Sequence, residues 1–185
     1  MRCGLEAAAI RSEPSAAAEQ VTQALRGDPL EVGDRREGWA RVTTAYGYPG
    51  WIREEALCGD DALSVARTFL GAPYEWGGLT AGGIDCSGLV HLAYRLTGQA
   101  VPRDAWQQEE AGTPVGAGEE QPGDLVTYSG DGGRADHVAF WVGDGRILHA
   151  TDRDGLGVVE EREPEELRRR GRRVVRLSGL RPGSA

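Results

Sequence analysis

The chain has 185 residues, 39% of them apolar and 27% charged, with a formal net charge of −8. That length holds one full-sized domain or two small ones, and the composition is that of a folded globular protein. The negative balance excludes a nucleic-acid partner, which would need Lys and Arg to neutralise phosphates, and it disfavours an anionic membrane surface.

From Leu5 to Leu57 short β-type runs alternate with turn residues, the pattern of a small all-β barrel or sandwich. Strands are predicted at Leu30-Glu31-Val32, Trp39 to Thr44 and Trp51-Ile52, separated by Gly27-Asp28-Pro29, Glu37-Gly38 and Gly47-Tyr48-Pro49-Gly50. Trp39 and Trp51 read as barrel core. The runs IRSEPS, GWARV and YGYPGWI resemble the bacterial SH3-like domain.

Periodicity changes at Asp60-Asp61, where Leu63, Ala66, Phe69 and Leu70 take up helical spacing before Gly71 and Pro73. The expected domains are therefore 1–59 and 60–185. A second helix carries Leu89, Leu92, Ala93 and Leu96 as one stripe, and Gly98 is its stop. It must begin near Asp85-Cys86-Ser87, with Asp85 a preferred N-cap. A polar stretch, Gly112 to Gly123, precedes strands predicted at Asp124–Ser129, His137–Val142 and Arg146–Thr151. The charged tail from Glu160 holds a short helix after Pro164 and a closing strand near Arg173–Leu177. The glycine-rich segment Gly130 to Gly133 lacks the Lys and Ser/Thr of a phosphate-binding loop and reads as a turn.

Three cysteines, Cys3, Cys58 and Cys86, offer no CxxC spacing, so neither a disulfide framework nor a thiolate zinc site is indicated. Near Met1 no apolar stretch reaches the roughly 7 to 15 residues of a secretory leader, and no run is long enough to span a bilayer. The expected location is the cytoplasm, or outside the cell if the true N-terminus is missing.

A thiol in the first turn of a helix faces unpaired N–H groups and the positive end of the dipole, which favours the thiolate. Cys86 takes that place, with the Asp85 charge opposing; the helix and a nearby imidazolium are expected to win. For His137 and His149 the hairpin register decides. A two-residue turn at Asp144-Gly145 pairs His137 with Asp152 and sends His149 to the other face. A three-residue loop Gly143-Asp144-Gly145, or a bulge, pairs His137 with Thr151 and makes His149 its same-face diagonal neighbour. The second arrangement, with Gly145 at positive φ, lets one imidazole act on Cys86 while the other orients it. Cys86, His137 and His149 are also competent zinc ligands, but closely spaced ligand pairs are absent and the reading carries no metal. Cys3 and Cys58 read as inert, and His91 as structural or solvated.

YEWGG at Tyr74 to Gly78, IDCSGLV at Ile84 to Val90, PGDLV at Pro122 to Val126 and HVAFWVGDGRILHA at His137 to Ala150 together resemble the NlpC/p60 family of cell-wall cysteine peptidases, over about residues 62 to 160. The resemblance implies an α+β fold overall: an SH3-like β-barrel, then a papain-like domain whose nucleophile helix packs on an antiparallel sheet. It implies Cys86 as nucleophile, His137 as base, His149 as polar third member and Tyr74 as a donor to the oxyanion, with no cofactor. The substrate implied is a murein stem peptide cut between γ-D-glutamate and a diamino acid. An SH3-like domain directly before the peptidase resembles the branch that trims free muropeptides in wall recycling, where the residues matching Asp85 and Ser87 hold the free amine of L-Ala. Tyr48 of the SH3-like domain is a further candidate contact. The tract VPRDAWQQ at Val101 to Gln108 fits the family too, but Ala105 stands where some members carry serine. Two other readings stay open: a secreted hydrolase of intact peptidoglycan, and a non-catalytic adaptor that binds wall peptide.

Overall fold

The structure is a computed structural model that describes residues 1–130 and 132–177. Position 131, inside the predicted turn Gly130–Gly133, and residues 178–185, at the end of the second expected domain, lie outside the described residues. The chain divides into two compact units, Met1–Asp60 and Asp61–Ala185.

The first unit is a five-stranded antiparallel sheet of β1 (Ala7–Arg11), β2 (Gln20–Leu25), β3 (Leu30–Arg36), β4 (Trp39–Thr44) and β5 (Pro49–Arg53), in the order β2-β1-β5-β4-β3. Glu37 and Gly38 both take positive φ at the β3–β4 turn, the backbone a tight hairpin demands. Alternation along the strands sends Ala8, Ile10, Ala24, Ala40, Val42 and Ile52 into one core with Cys3 and Leu30. Trp39 is buried under the Arg53 guanidinium, 4.3 Å from its ring centroid. Trp51 is only half-buried, with Arg36 over its face, because β5 presents it on the side away from Ile52. Cys3 is fully buried, and burial raises the pKa of both Cys3 and Cys58, as suits inert thiols.

The second unit opens with α1 (Ala62–Arg67), capped by Asp61 accepting from the Ser64 N–H. Helix α2 (Cys86–Leu96) follows, then α3 (Ala105–Ala111). Residues 105–111 carry no apolar stripe at helical spacing, yet Asp104 and Gln107 form a reciprocal capping box that starts α3 there. Strands β6 (Leu125–Ser129), β7 (His137–Gly143), β8 (Arg146–Thr151), β9 (Gly157–Arg162) and β10 (Gly171–Arg176) form an antiparallel sheet ordered β10-β6-β7-β8-β9. Thr113–Pro114 adds an edge pair beside β10, and the short helix α4 (Glu165–Arg168) precedes it. Tyr94 of α2 stacks on Phe140 of β7 at 6.2 Å, on the face that Leu125 and Leu148 share with Phe140 by register. The opposite face gathers Val126, Tyr128, Ala139, Ile147, Leu167 and Val174. The sheet is thus apolar on both sides. Among the described residues no helix is long and apolar enough to cross a membrane.

Candidate active site

Cys86 is the first residue of α2, and its position depends on close backbone packing around it. Asp85 takes extended φ/ψ and accepts from the Gly88 N–H, the usual N-cap bond. Gly88 lies against the carbonyl of Gly78: a Cβ there would stand 2.5 Å from that oxygen, so the helix approaches the YEWGG segment only with glycine at this place. Tyr74 is tied alongside by a bridge to Ile84, with the Glu75 N–H donating to the Ile84 carbonyl.

On the sheet, Phe140 pairs with Leu148 and Gly143 with Arg146, with the register shifting between Trp141 and Gly143. The turn is two-residue, Asp144-Gly145, with φ of 51° and 71°, and the bulge beside it restores the parity that a bare two-residue turn would lose. Continuing the Phe140–Leu148 pairing sets His137 opposite Thr151 and His149 diagonal to His137 on one face. The rings meet edge-on, centroids 5.1 Å apart, with His137 Nε2 2.8 Å from His149 Nδ1. Across the next pair of strands His149 faces Val159, and Glu161 is its diagonal neighbour. His149 Nε2 lies 3.0 Å from a Glu161 oxygen, which also accepts from Arg153 at 2.5 Å. Three adjacent strands therefore carry His137, His149 and Glu161 in one hydrogen-bonded row. Tyr128 packs its ring 5.8 Å from His137 and donates its hydroxyl to Glu163.

Electrostatics keep the thiol and imidazoles uncharged. Burial pushes the Cys86 thiol up to about 11, against the backbone N–H groups of Val138, Ser87 and Cys86 itself, which favour the thiolate. The expected thiolate does not form at rest, because the desolvation of a buried sulfur outweighs the helix terminus and Asp85 adds to it. His137 is pushed down to about 3 by burial, then by the proximity of His149, Arg170 and Arg153. His149 is lowered by burial despite Glu161. The Val138 contact sets the start of α2 against the start of β7, where His137 stands. Tyr74, raised to about 12 by burial and then by Cys86 and Asp85, stays a hydroxyl donor beside the sulfur.

A cleft of about 520 Å³ opens at Cys86, lined among others by Trp76, Asp85, Ser87, Arg103 and Trp106. Arg103 grips Asp85 with both Nη atoms, at 2.9 and 2.7 Å, and donates to Ser87 Oγ at 2.8 Å. Asp85 also accepts from the Gly77 N–H. Burial opposes its ionisation, but Arg103 and the two N–H groups win, so Asp85 stays below the usual carboxylate range. The structure thus brings Tyr74, Asp85, Cys86 and Ser87 to one end of α2, and His137 and His149 together. Tyr48 is exposed in the first unit, its N–H bonded to Thr44 Oγ1. His91 bonds the Val101 carbonyl, a structural use. Among the described residues no three His, Cys, Asp or Glu side chains group as a cation site. Sequence reasoning missed Arg103, Glu161 and Trp106. Only Arg103 had a local signal, the lone cation of VPRDAWQQ.

Residues 71–169, more than half of the chain, match the NlpC/P60 family. The chain belongs to the NlpC/P60 family. Residues 10–57 match the bacterial dipeptidyl-peptidase SH3 domain, so the α+β architecture of an SH3-like unit followed by an NlpC/P60 domain is established. The chain is 33% identical to a gamma-D-glutamyl-L-lysine dipeptidyl-peptidase of Bacillus cereus, over 60% of this chain and 37% of that protein. A probable endopeptidase of Corynebacterium glutamicum is 41% identical, over 62% of this chain and 53% of its own length. The chain therefore spans about a third to a half of the length of these relatives. A solved NlpC/P60 family protein from Bacillus cereus superimposes with a TM-score of 0.61 and 25% identity, covering 95% of this chain and 62% of that one.

Proposed function

We propose that this chain is a cysteine peptidase that hydrolyses the bond between γ-D-glutamate and a diamino acid in murein stem peptides, taking free peptides with an unblocked L-Ala. The observation that carries the reading is the hydrogen-bonded row His137–His149–Glu161, which begins at the strand end whose Val138 N–H bonds Cys86, the first residue of α2. In the reaction His137 takes the Cys86 proton as the sulfur attacks the peptide carbonyl, and returns it to the leaving amine. Water then hydrolyses the thioester. In this reading Tyr74 and the backbone N–H groups at the start of α2 donate to the oxyanion.

Arg103 supports the choice of substrate. A glutamate linked through its γ-carboxyl keeps a free α-carboxylate two bonds from its amine, and a guanidinium at the cleft wall is the natural partner for that group. An ordinary α-linked peptide offers no such carboxylate at the scissile residue. The Bacillus cereus relative is named for the same linkage. Asp85 already holds four strong hydrogen bonds, so an L-Ala ammonium would meet its field, and that of Asp104 on the cleft wall, rather than an unpaired oxygen.

The non-catalytic alternative has a structural counterpart: a Mycobacterium tuberculosis protein described as a non-catalytic NlpC/p60 domain adapted to peptidoglycan binding shares the fold, with a TM-score of 0.53 and 26% identity over 64% of this chain and 95% of its own. The hydrogen-bonded pair His137–His149, together with a cysteine at the first position of α2, argues against that role here. The test is incubation with L-Ala-γ-D-Glu-diaminopimelate, its N-acetylated form and intact peptidoglycan, with products read by mass spectrometry. Release of L-Ala-D-Glu from the free tripeptide alone is the expected result. Equal cleavage of the acetylated peptide would remove the free-amine specificity, and no cleavage of any substrate would leave a binding role.

A further inference from the structure

The row of polar side chains on the sheet does not stop at His149. We infer that Glu161, held by Arg153, is a fourth member of the apparatus: a positioning residue that sets the tautomer of both imidazoles so that His137 presents an unprotonated Nδ1 to Cys86. The inference rests on the peptidase reading above.

The argument is one of donors and acceptors. An ionised carboxylate only accepts, and Glu161 is kept ionised: burial opposes its charge, but hydrogen bonds from His149 and Arg153 and the Arg153 charge hold it below the usual glutamate range. The ring nitrogen 3.0 Å from it, His149 Nε2, must therefore carry a proton. A neutral imidazole has one N–H, and burial keeps His149 neutral, so His149 Nδ1 is a lone pair. It can then only accept from His137 Nε2, 2.8 Å away. His137 too is neutral, so its single proton is used there and Nδ1 is the free base. Each assignment forces the next, and the chain is anchored at Glu161.

With that anchor removed, His149 is free to carry its proton on Nδ1. It would then donate to His137 Nε2, forcing the His137 proton onto Nδ1 and blocking proton uptake from Cys86. When Cys86 does transfer its proton, the imidazolium of His137 is stabilised through the same row, the Glu161 charge being the nearest negative one in it. The other charges around the pair are positive or already paired: Arg153 also binds Glu166 of α4, Arg170 before β10 pairs with Asp136, and Glu163 holds Tyr128 and Arg172. Asp85, the neighbour of Cys86 in the chain, is committed to Arg103.

The chain has only 3 histidines, so the ring nitrogens of the full-length protein can be assigned by 15N NMR. In the wild type His149 should be protonated at Nε2 alone. Glu161→Ala should mix the two His149 tautomers and lower kcat about ten- to hundredfold with KM within about twofold, the rate equivalent of one hydrogen bond to a charged group. Glu161→Gln, which keeps an acceptor oxygen, should preserve the tautomer and recover part of the rate. The titration of His149 should move down in Glu161→Gln and up in Arg153→Gln, opposite shifts that a role in folding alone would not produce. If Glu161→Ala proves unstable, these two variants decide the matter. An unchanged His149 tautomer in Glu161→Ala, or an unmoved titration in both Gln variants, overturns the inference. The NMR readouts hold whatever the substrate is, so a failed tripeptide assay with wild type would count against the function proposed above and not against this row.

Discussion

Along the sheet, half-buried His137 and buried His149 stay uncharged and hydrogen-bond in a row that ends in one carboxylate; on the cleft side, Asp85 and Arg103 are both ionised and grip each other. The sheet side is built by strand register, three neighbouring strands each lending one residue at the same diagonal offset. The cleft side is built by a helix cap and the segment before α3, which reach each other through a bidentate ion pair. On the proposed reading, reactivity is stored as proton affinity in one place and recognition as paired charge in the other. The two should fail differently when broken.

The largest effect is expected at the sulfur. Cys86→Ala should reduce hydrolysis to background while the unfolding midpoint changes little, because no other group can form the thioester. His137→Ala should be nearly as severe, whereas His149→Asn, which keeps a polar side chain in the row, should be milder than either. Turnover retained in Cys86→Ala would dispose of the cysteine mechanism, and a wild-type rate in His137→Ala would remove that base.

Breaking the cleft side should cost affinity and stability together. Arg103→Met leaves Asp85, only 6% exposed, with two N–H partners and no counter-charge. A loss of about 2 kcal/mol in stability is expected, below the roughly 3 to 5 kcal/mol of a fully buried broken pair because Arg103 itself is 29% exposed. KM should rise about tenfold or more with a smaller change in kcat, the signature of lost substrate binding. Asp85→Ala should lose at least about tenfold in kcat/KM. An unchanged KM in Arg103→Met would mean that the guanidinium serves the fold alone.

How far this site was legible in the sequence depended on how local its parts are. Cys86, Asp85 and the start of α2 follow from a cap residue, two glycines and a helical stripe within about a dozen positions. The histidine pair was legible because a hairpin is local: the choice lay between two registers, and the bulge at Trp141–Gly143 selects the one that joins them. Strand β9 was not legible, since a charged run with Val158 and Val159 as its only β-formers reads as tail, and its pairing with β8 is fixed by the irregular turn at Arg153–Gly155. Glu161 was lost with it. Arg103 joins Asp85 across 18 positions, through a loop whose path no local signal records. The thiol's charge state was misjudged for a related reason: burial of the sulfur is a tertiary property, and it outweighs the helix terminus that the sequence does show.

Stability against pH sharpens the comparison with a smaller effect. His137 and His149 have folded pKa values depressed below the ordinary 6.5, so their contribution is fully present above that pH. It is lost as pH falls, with the His137 part gone only near pH 3, where its folded value lies. Asp85, also depressed, adds to this acid-side loss below the ordinary carboxylate value of 3.8. Cys86 is raised, so its contribution is full below the ordinary 9.0 and is lost as pH rises towards about 11. Each group imposes a slope of at most about 1.4 kcal/mol per pH unit. Urea midpoints measured from pH 4 to pH 10.5 should therefore show a plateau between roughly 6.5 and 9. Cys86→Ser should make the alkaline limb shallower, with the raised Cys3 and Cys58 supplying what remains of it, and leave the acid limb in place. A wild-type alkaline limb in Cys86→Ser would show that the thiol is not the group responsible.

The smallest change expected is at the turn that sets the histidine register. Asp144 and Gly145 both hold positive φ, and an L side chain at Gly145 must take a conformation that glycine adopts without strain. The nearest atom a Cβ would meet there is 3.9 Å away, the end of the Arg162 side chain, so the cost is conformational and not steric. Gly145→Ala should therefore lose about 1 kcal/mol in stability. Asp144→Gly, which relieves the same demand at its neighbour, should be close to neutral. In both variants the His137–His149 hydrogen bond should persist, because the register is held by β7–β8 pairing beyond the bulge as well as by the turn. Deleting Val142, the residue between the two register positions, is the contrasting case: without it the bare two-residue turn sends His149 to the opposite face and hydrolysis should fall at least as far as in His149→Asn. If the deletion kept full activity, the bulge would have no part in bringing the two imidazoles together.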